Sequence, residues 1–158
     1  MKKNLEKTDN SIVKDIKSNK KFEAITELFE KSPLLMKVEK PAELKEEVYK
    51  RERIQTTGLG HGIAIAHANT KKAKKLVFVL GISHDGVDYD SMDGEPVHFL
   101  FMVVHPPECQ EQYMQILSAI GKMFCKCIKP NYNNLMNQFN NISQELCGEF
   151  IKVISKLN

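Results

Sequence analysis

Thr56-Thr57-Gly58-Leu59-Gly60-His61-Gly62-Ile63-Ala64-Ile65-Ala66-His67 is a glycine-dense turn that feeds a short apolar run and ends on a histidine. Glycines at alternate positions permit positive φ and close approach of a partner, and successive free N–H groups in such a turn can form a concave site for an anion. Ile63-Ala64-Ile65-Ala66 is too apolar to stay in water, so it predicts a strand that ties the turn to a core and delivers His67 at the strand's end. A titratable nitrogen beside such a turn reads as a histidine that handles phosphate.

The flanking stretches supply the rest of the fold. Upstream, Phe22, Ile25, Leu28 and Phe29 recur at helical spacing until Pro33 closes the element. A second helix is predicted from Pro41 to Ile54, with Glu43, Glu46 and Glu47 early and Lys50, Arg51 and Arg53 late, an order that complements the helix dipole. It runs straight into the glycine turn, which places the Arg51 guanidinium within reach of an anion held there.

Downstream, Leu76–Ile82 and Val97–Val104 are apolar without polar alternation, as in strands covered on both faces. Between them, Asp85-Gly86 and Asp93-Gly94 read as two turns of a hairpin or edge excursion. From Glu108, the positions Tyr113, Ile116, Leu117, Ile120, Phe124, Cys127 and Ile128 fall on one face of a helix of about five turns that Pro130 ends. A short turn near residues 134–139 leads to a last amphipathic helix through Ile142, Leu146, Phe150, Ile151 and Ile154. Strands with helices before, between and after them predict a three-layer α/β/α domain with a mixed sheet flanked by helices. Ligands of such sheets collect at strand ends, where His67 is expected.

Composition narrows the function classes. The chain has 158 residues, 42% hydrophobic, enough for one domain with a real core. Its charge of +3 comes from 23 basic and 20 acidic residues. The first 21 residues hold seven of those lysines against Glu6, Asp9 and Asp15, so the remainder carries 16 basic against 17 acidic groups. A near-neutral body lacks the broad basic footprint of a nucleic-acid binder. Residues 1–18 are expected to be a basic N-terminal segment, partly docked through Ile12, Val13 and Ile16, ahead of a domain at 19–158. Cys109, Cys125, Cys127 and Cys147 show no paired zinc spacing, and no apolar run approaches the roughly 20 residues that span a bilayer. The expectation is a cytoplasmic protein with reduced thiols, no direct membrane insertion, no metal and no cofactor.

Better-known phosphate loops do not fit. A P-loop needs Gly-Lys-Ser/Thr after its second glycine, and a dinucleotide fingerprint begun at Gly58 needs Gly or Ala where Ile63 stands. The order here is also helix, glycine turn, strand.

Lys50-Arg51-Glu52-Arg53-Ile54-Gln55, together with the glycine turn and strand through His67, resembles the phosphorylation segment of IIA domains of the phosphoenolpyruvate-dependent sugar phosphotransferase system, fructose/mannitol type. Asp90-Ser91-Met92-Asp93-Gly94-Glu95-Pro96-Val97 is similar to the family's stretch before its central strand, and the resemblance covers roughly residues 19 to 156. It implies a carrier that accepts a phosphoryl group from the phosphocarrier HPr on His67, at Nε2, and passes it on. Arg51 matches the arginine that the family places near the phosphoryl group. Thr57 and His61 are candidates for further donors in the vicinity. Tyr113 stands where a second active-site histidine is common, Ala66 where proline is usual before the acceptor, and Ala68 where glycine is common.

The length and the absence of a fused IIB or IIC segment resemble the nitrogen-regulatory subgroup, which implies a regulatory target protein as recipient. The alternatives are a transport component that donates to a separate IIB cysteine for sugar uptake, and a degenerate binding module that is not phosphorylated.

Overall fold

The computed structural model describes residues 10–157. The expected basic tail falls largely on residues 1–9, outside the described residues. The rest of that N-terminal segment is docked: strand β1 (Ile12–Val13) pairs in parallel with Leu80 and Gly81 of strand β4 (Val77–Val87), and the Ile16 amide donates to the Ile82 carbonyl at 2.9 Å.

Helix α1 (Lys21–Lys31) locks this segment down. Its Glu27 carboxylate accepts the amides of Lys17 and Ser18 at 2.7–3.0 Å and pairs with Lys31 at 2.7 Å. Burial opposes that carboxylate's charge, but these donors outweigh it and hold its pKa down to about 2. A short helix α2 (Pro33–Met36) comes next, capped by Ser32, and then α3 (Pro41–Ile54) with Pro41 in its first turn.

The five strands lie in the order β1, β4, β5 (Val97–His105), β3 (Ile63–Asn69), β2 (Gly58–Gly60). β3 runs parallel to β5, while β4 is antiparallel to β5 and β2 to β3, so the sheet is mixed. Alternation sorts the two faces. Ala64, Ala66, Leu100 and Met102 face a core shared with α1, α2 and α3. Ile63, Phe99, Phe101 and Val103 face one shared with helices α4 (Gln110–Met123) and α5 (Phe139–Lys156). The three layers expected from the sequence are these. Phe99, Phe101 and Phe150 are fully buried, and burial of such side chains contributes about 1.5–3 kcal/mol apiece.

Three local expectations are corrected. Asp85-Gly86 is not a turn but lies inside β4, where five steps from Ile82 to Val87 face only two on β5, so residues 83–86 bulge out. Pro130 does not end the helical path. After α4 the chain widens to a π-type turn at Phe124–Ile128, and Pro130 sits in the first turn of a 3-10 helix (Lys129–Asn134), where its missing N–H is harmless. The glycine segment is itself a short edge strand, and its tight turn carries three positive φ angles, at Gly60, His61 and Gly62.

Candidate functional site

His67 enters the site from β3, opposite Val103 of β5. The strand continues two residues past it to Asn69, so the histidine lies just inside the strand end. It shares the α4 face with Ile63 and Ile65 and is half-buried there. Its Nδ1 lies 2.9 Å from the Ile65 carbonyl, which can only accept. Nδ1 therefore carries the proton, and Nε2 is left with the lone pair.

Electrostatics favour that neutral form. Burial is the largest influence lowering the His67 pKa below its ordinary 6.5, and Arg51 and His105 push the same way, against the Ile65 bond and Glu52. Arg51 thus acts on His67 across space, and its charge also bears on Tyr113. Its Nη1 donates to the Gln55 carbonyl at 3.0 Å, which folds the guanidinium back over the end of α3.

Tyr113, on the first turn of α4, is half-buried with its ring centroid 5.7 Å from that of His67. The structure brings together His67, Tyr113 and the field of Arg51, which the sequence had singled out at separations of up to 62 positions. It does not bring in the other two candidates. The Thr57 hydroxyl donates to Glu52 Oε2 at 2.5 Å and its amide to Glu52 Oε1 at 2.8 Å, so neither points its proton at His67. His61 lies before the start of β3, where its ring meets Phe124 and Tyr132. Four strand steps between Ile63 and His67 alone amount to about 13 Å.

The glycine turn also differs from the anion cradle read from its sequence. The His61 amide donates to Asp93 Oδ2 at 2.9 Å and the Gly58 amide to Thr56 Oγ1 at 3.1 Å. Those donors are used within the protein.

Two residues matter here that the sequence reading passed over. Glu52, almost fully buried on α3, pairs with Lys21 at 3.1 Å while accepting both Thr57 bonds. Lys21 also donates to Thr56 Oγ1 at 3.1 Å, and Tyr89 donates to Thr57 Oγ1 at 3.1 Å. A lone acid among Lys50, Arg51 and Arg53 was the only trace of this network. The second is His105, at the end of β5, whose ring stacks on Tyr113 at 4.6 Å. Alternation from Phe99, Phe101 and Val103 points it to the α4 face, but the register that sets it near His67 is not written locally. Among the described residues no group of His, Cys, Asp and Glu is arranged to hold a metal ion.

A half-buried, neutral imidazole with one nitrogen tied to the backbone and the other free, within the field of a guanidinium, is arranged for nucleophilic attack on an anionic electrophile. Residues 7–145 match the family described as "Phosphoenolpyruvate-dependent sugar phosphotransferase system, EIIA 2". The fructose-specific EIIABC component of Bacillus subtilis is 32% identical over 119 residues, 75% of this chain and 19% of that much longer protein. A nitrogen regulatory protein of Bradyrhizobium diazoefficiens is 29% identical over 113 residues, 72% of this chain and 73% of the relative. Among solved structures, the nitrogen regulatory protein IIA-Ntr of Neisseria meningitidis superposes with a TM-score of 0.68 at 25% identity, covering 78% of this chain and 84% of that one.

Proposed function

Since the chain belongs to the EIIA type 2 family of the phosphoenolpyruvate-dependent sugar phosphotransferase system, we propose that it carries a phosphoryl group on His67, received from phospho-HPr. The observation that carries this reading is the bond from His67 Nδ1–H to the Ile65 carbonyl, which leaves the Nε2 lone pair as the only nucleophile of the ring. That pair attacks phosphorus as the N–P bond of the donor's phosphohistidine breaks, and the bonding electrons return to the donor ring. The Nδ1–H of His67 keeps its bond to the Ile65 carbonyl throughout. Arg51, released from Gln55, supplies a planar fork for the equatorial oxygens, and Tyr113 walls the other side.

The output is read as regulatory, with the phosphorylation state deciding which target protein is held. The likeness to the Bradyrhizobium nitrogen regulatory protein and to the Neisseria IIA-Ntr structure supports that reading. A transport reading, with a IIB cysteine as recipient, is favoured by the fructose-specific relative. A cytoplasmic location accords with both, and among the described residues no helix is long and apolar enough to cross a membrane.

The test is incubation with phosphoenolpyruvate, enzyme I and HPr, followed by mass spectrometry. One acid-labile phosphoryl group is expected, absent in His67→Ala. Arg51→Ala should fold normally and label about 10–100-fold more slowly, the loss expected for a charge-assisted hydrogen bond. Label that persists in His67→Ala would refute the assignment. Rapid transfer from the phosphoprotein to a IIB domain would replace the regulatory output with the transport one.

A further inference from the structure

Tyr113 touches two histidines, not one. Its ring lies 5.7 Å from His67 and 4.6 Å from His105, the latter within 24° of parallel. His105 is fully buried, with Nδ1 2.8 Å from the Pro106 carbonyl. A carbonyl accepts only, so Nδ1 carries the proton and Nε2 holds a lone pair. That Nε2 is buried without a hydrogen-bond partner.

A buried acceptor left unpaired is destabilising, whereas a phenyl ring would stack on Tyr113 without that penalty. Stacking alone therefore does not account for an imidazole at this position. The titratable and charged groups around it are His67 from β3 and Tyr113 from α4, with Arg51 and Glu52 of α3 acting on His67 and Arg51 also on Tyr113. Among the described residues no carboxylate pairs with His105. The Arg51 cation acts on both neighbouring rings, His67 and Tyr113. A phosphoryl dianion on His67 would reverse the sign of the local field.

We propose that His105 is the proton-accepting partner of this site: when His67 bears a phosphoryl group, His105 Nε2 takes up one proton and its imidazolium offsets part of the phosphoryl charge. The proposal rests on His67 being the phosphorylated residue. The proton comes from solvent onto the Nε2 lone pair, Nδ1–H keeps its bond to Pro106, and His105 forms no bond to phosphorus. The imidazolium faces the Tyr113 ring at a distance suited to a cation–π contact. When the phosphoryl group leaves, the proton returns to water.

The test is nitrogen-15 NMR of the histidine-labelled protein at pH 7, before and after phosphorylation by phospho-HPr and, in parallel, by the small donor phosphoramidate. His105 Nε2 is expected to move from the unprotonated to the protonated shift in the phosphoprotein. In His105→Phe, which keeps the stack, the phosphoryl group should be lost about tenfold faster at pH 7. A His105 Nε2 that stays unprotonated in the phosphoprotein overturns the proposal, with or without a foldable variant. Labelling of His67 by phosphoramidate but not by phospho-HPr would remove the carrier reading and still leave the His105 shift to decide this one. Labelling by neither donor overturns both.

Discussion

The Glu52 carboxylate receives both the amide and the hydroxyl of Thr57, at 2.8 and 2.5 Å, so the last turns of α3 and the start of the glycine segment are held as one piece. Lys21 of α1 closes the arrangement at 3.1 Å. Arg51 sits on α3, and the glycine segment leads into β3, which carries His67.

Removing that carboxylate should therefore affect both stability and the site. Glu52→Ala leaves the Lys21 ammonium without its counter-ion and two Thr57 donors without their acceptor in a nearly dry setting. Breaking a buried pair from one side costs about 3–5 kcal/mol, and the residual exposure of Lys21 argues for the lower end. Urea unfolding should show that loss, and any phosphorylation of His67 in the folded fraction should slow because Arg51 is no longer fixed. An unchanged midpoint would show that the pair contributes nothing net.

The pH response of His67 follows from its lowered pKa, caused first by burial and then by Arg51 and His105. The unfolded chain binds a proton near 6.5 while the folded one resists it to lower pH. This group's contribution is then fully favourable above about pH 6.5 and is lost as pH falls through the depressed folded value. Labelling of His67 should be flat across neutral pH and decline only in acid, and the ring should titrate by NMR below 6.5. A midpoint above 6.5 would contradict the buried, neutral imidazole.

Gly58 should tolerate substitution less well than Gly94, although only Gly94 has a positive φ. A Cβ on Gly58 would sit 2.5 Å from Ser91 Oγ and 2.9 Å from Ser91 Cα, so backbone must move. Overpacking of this kind costs about 1–3 kcal/mol. Gly94, at φ 73°, has open space around the added carbon, so Gly94→Ala carries only the left-handed backbone cost of about 1 kcal/mol. Thermal melts of the two alanine variants would reverse this order only if the Ser91 segment yields freely.

Cys125 and Cys127, two residues apart in the π-type turn, should differ sharply in reactivity. Cys125 is exposed, whereas Cys127 is buried and its thiol is pushed up to about 11, mainly by burial. Brief alkylation at pH 8 with subsequent peptide mapping should modify Cys125 and spare Cys127 until the protein is unfolded. Equal modification in the native state would indicate that the turn opens.

The sequence by itself determined the periodic elements and the reacting group. Pro41 and the charge order of its helix mark α3 to the residue, and the apolar runs ending near His67 and Val104 mark two of the central strands. These features are local, because helical and strand periodicities and proline geometry act within a few residues. Arg51 beside a glycine-flanked strand was legible for the same reason.

Tertiary packing decided which donors remain free and which rings meet. Thr57 looks available in the sequence, but Glu52 takes its proton. His61 looks adjacent to His67, yet an extended strand carries the two apart. Asp85-Gly86 has turn chemistry and was absorbed into a bulge by the pairing of β4 with β5. His105 meets Tyr113 only because β3 and β5 align Asn69 with His105, while α4 folds its first turn back over both strand ends. Register and helix docking depend on contacts between distant residues, and a hydrogen-bond donor is free or occupied only once those contacts exist.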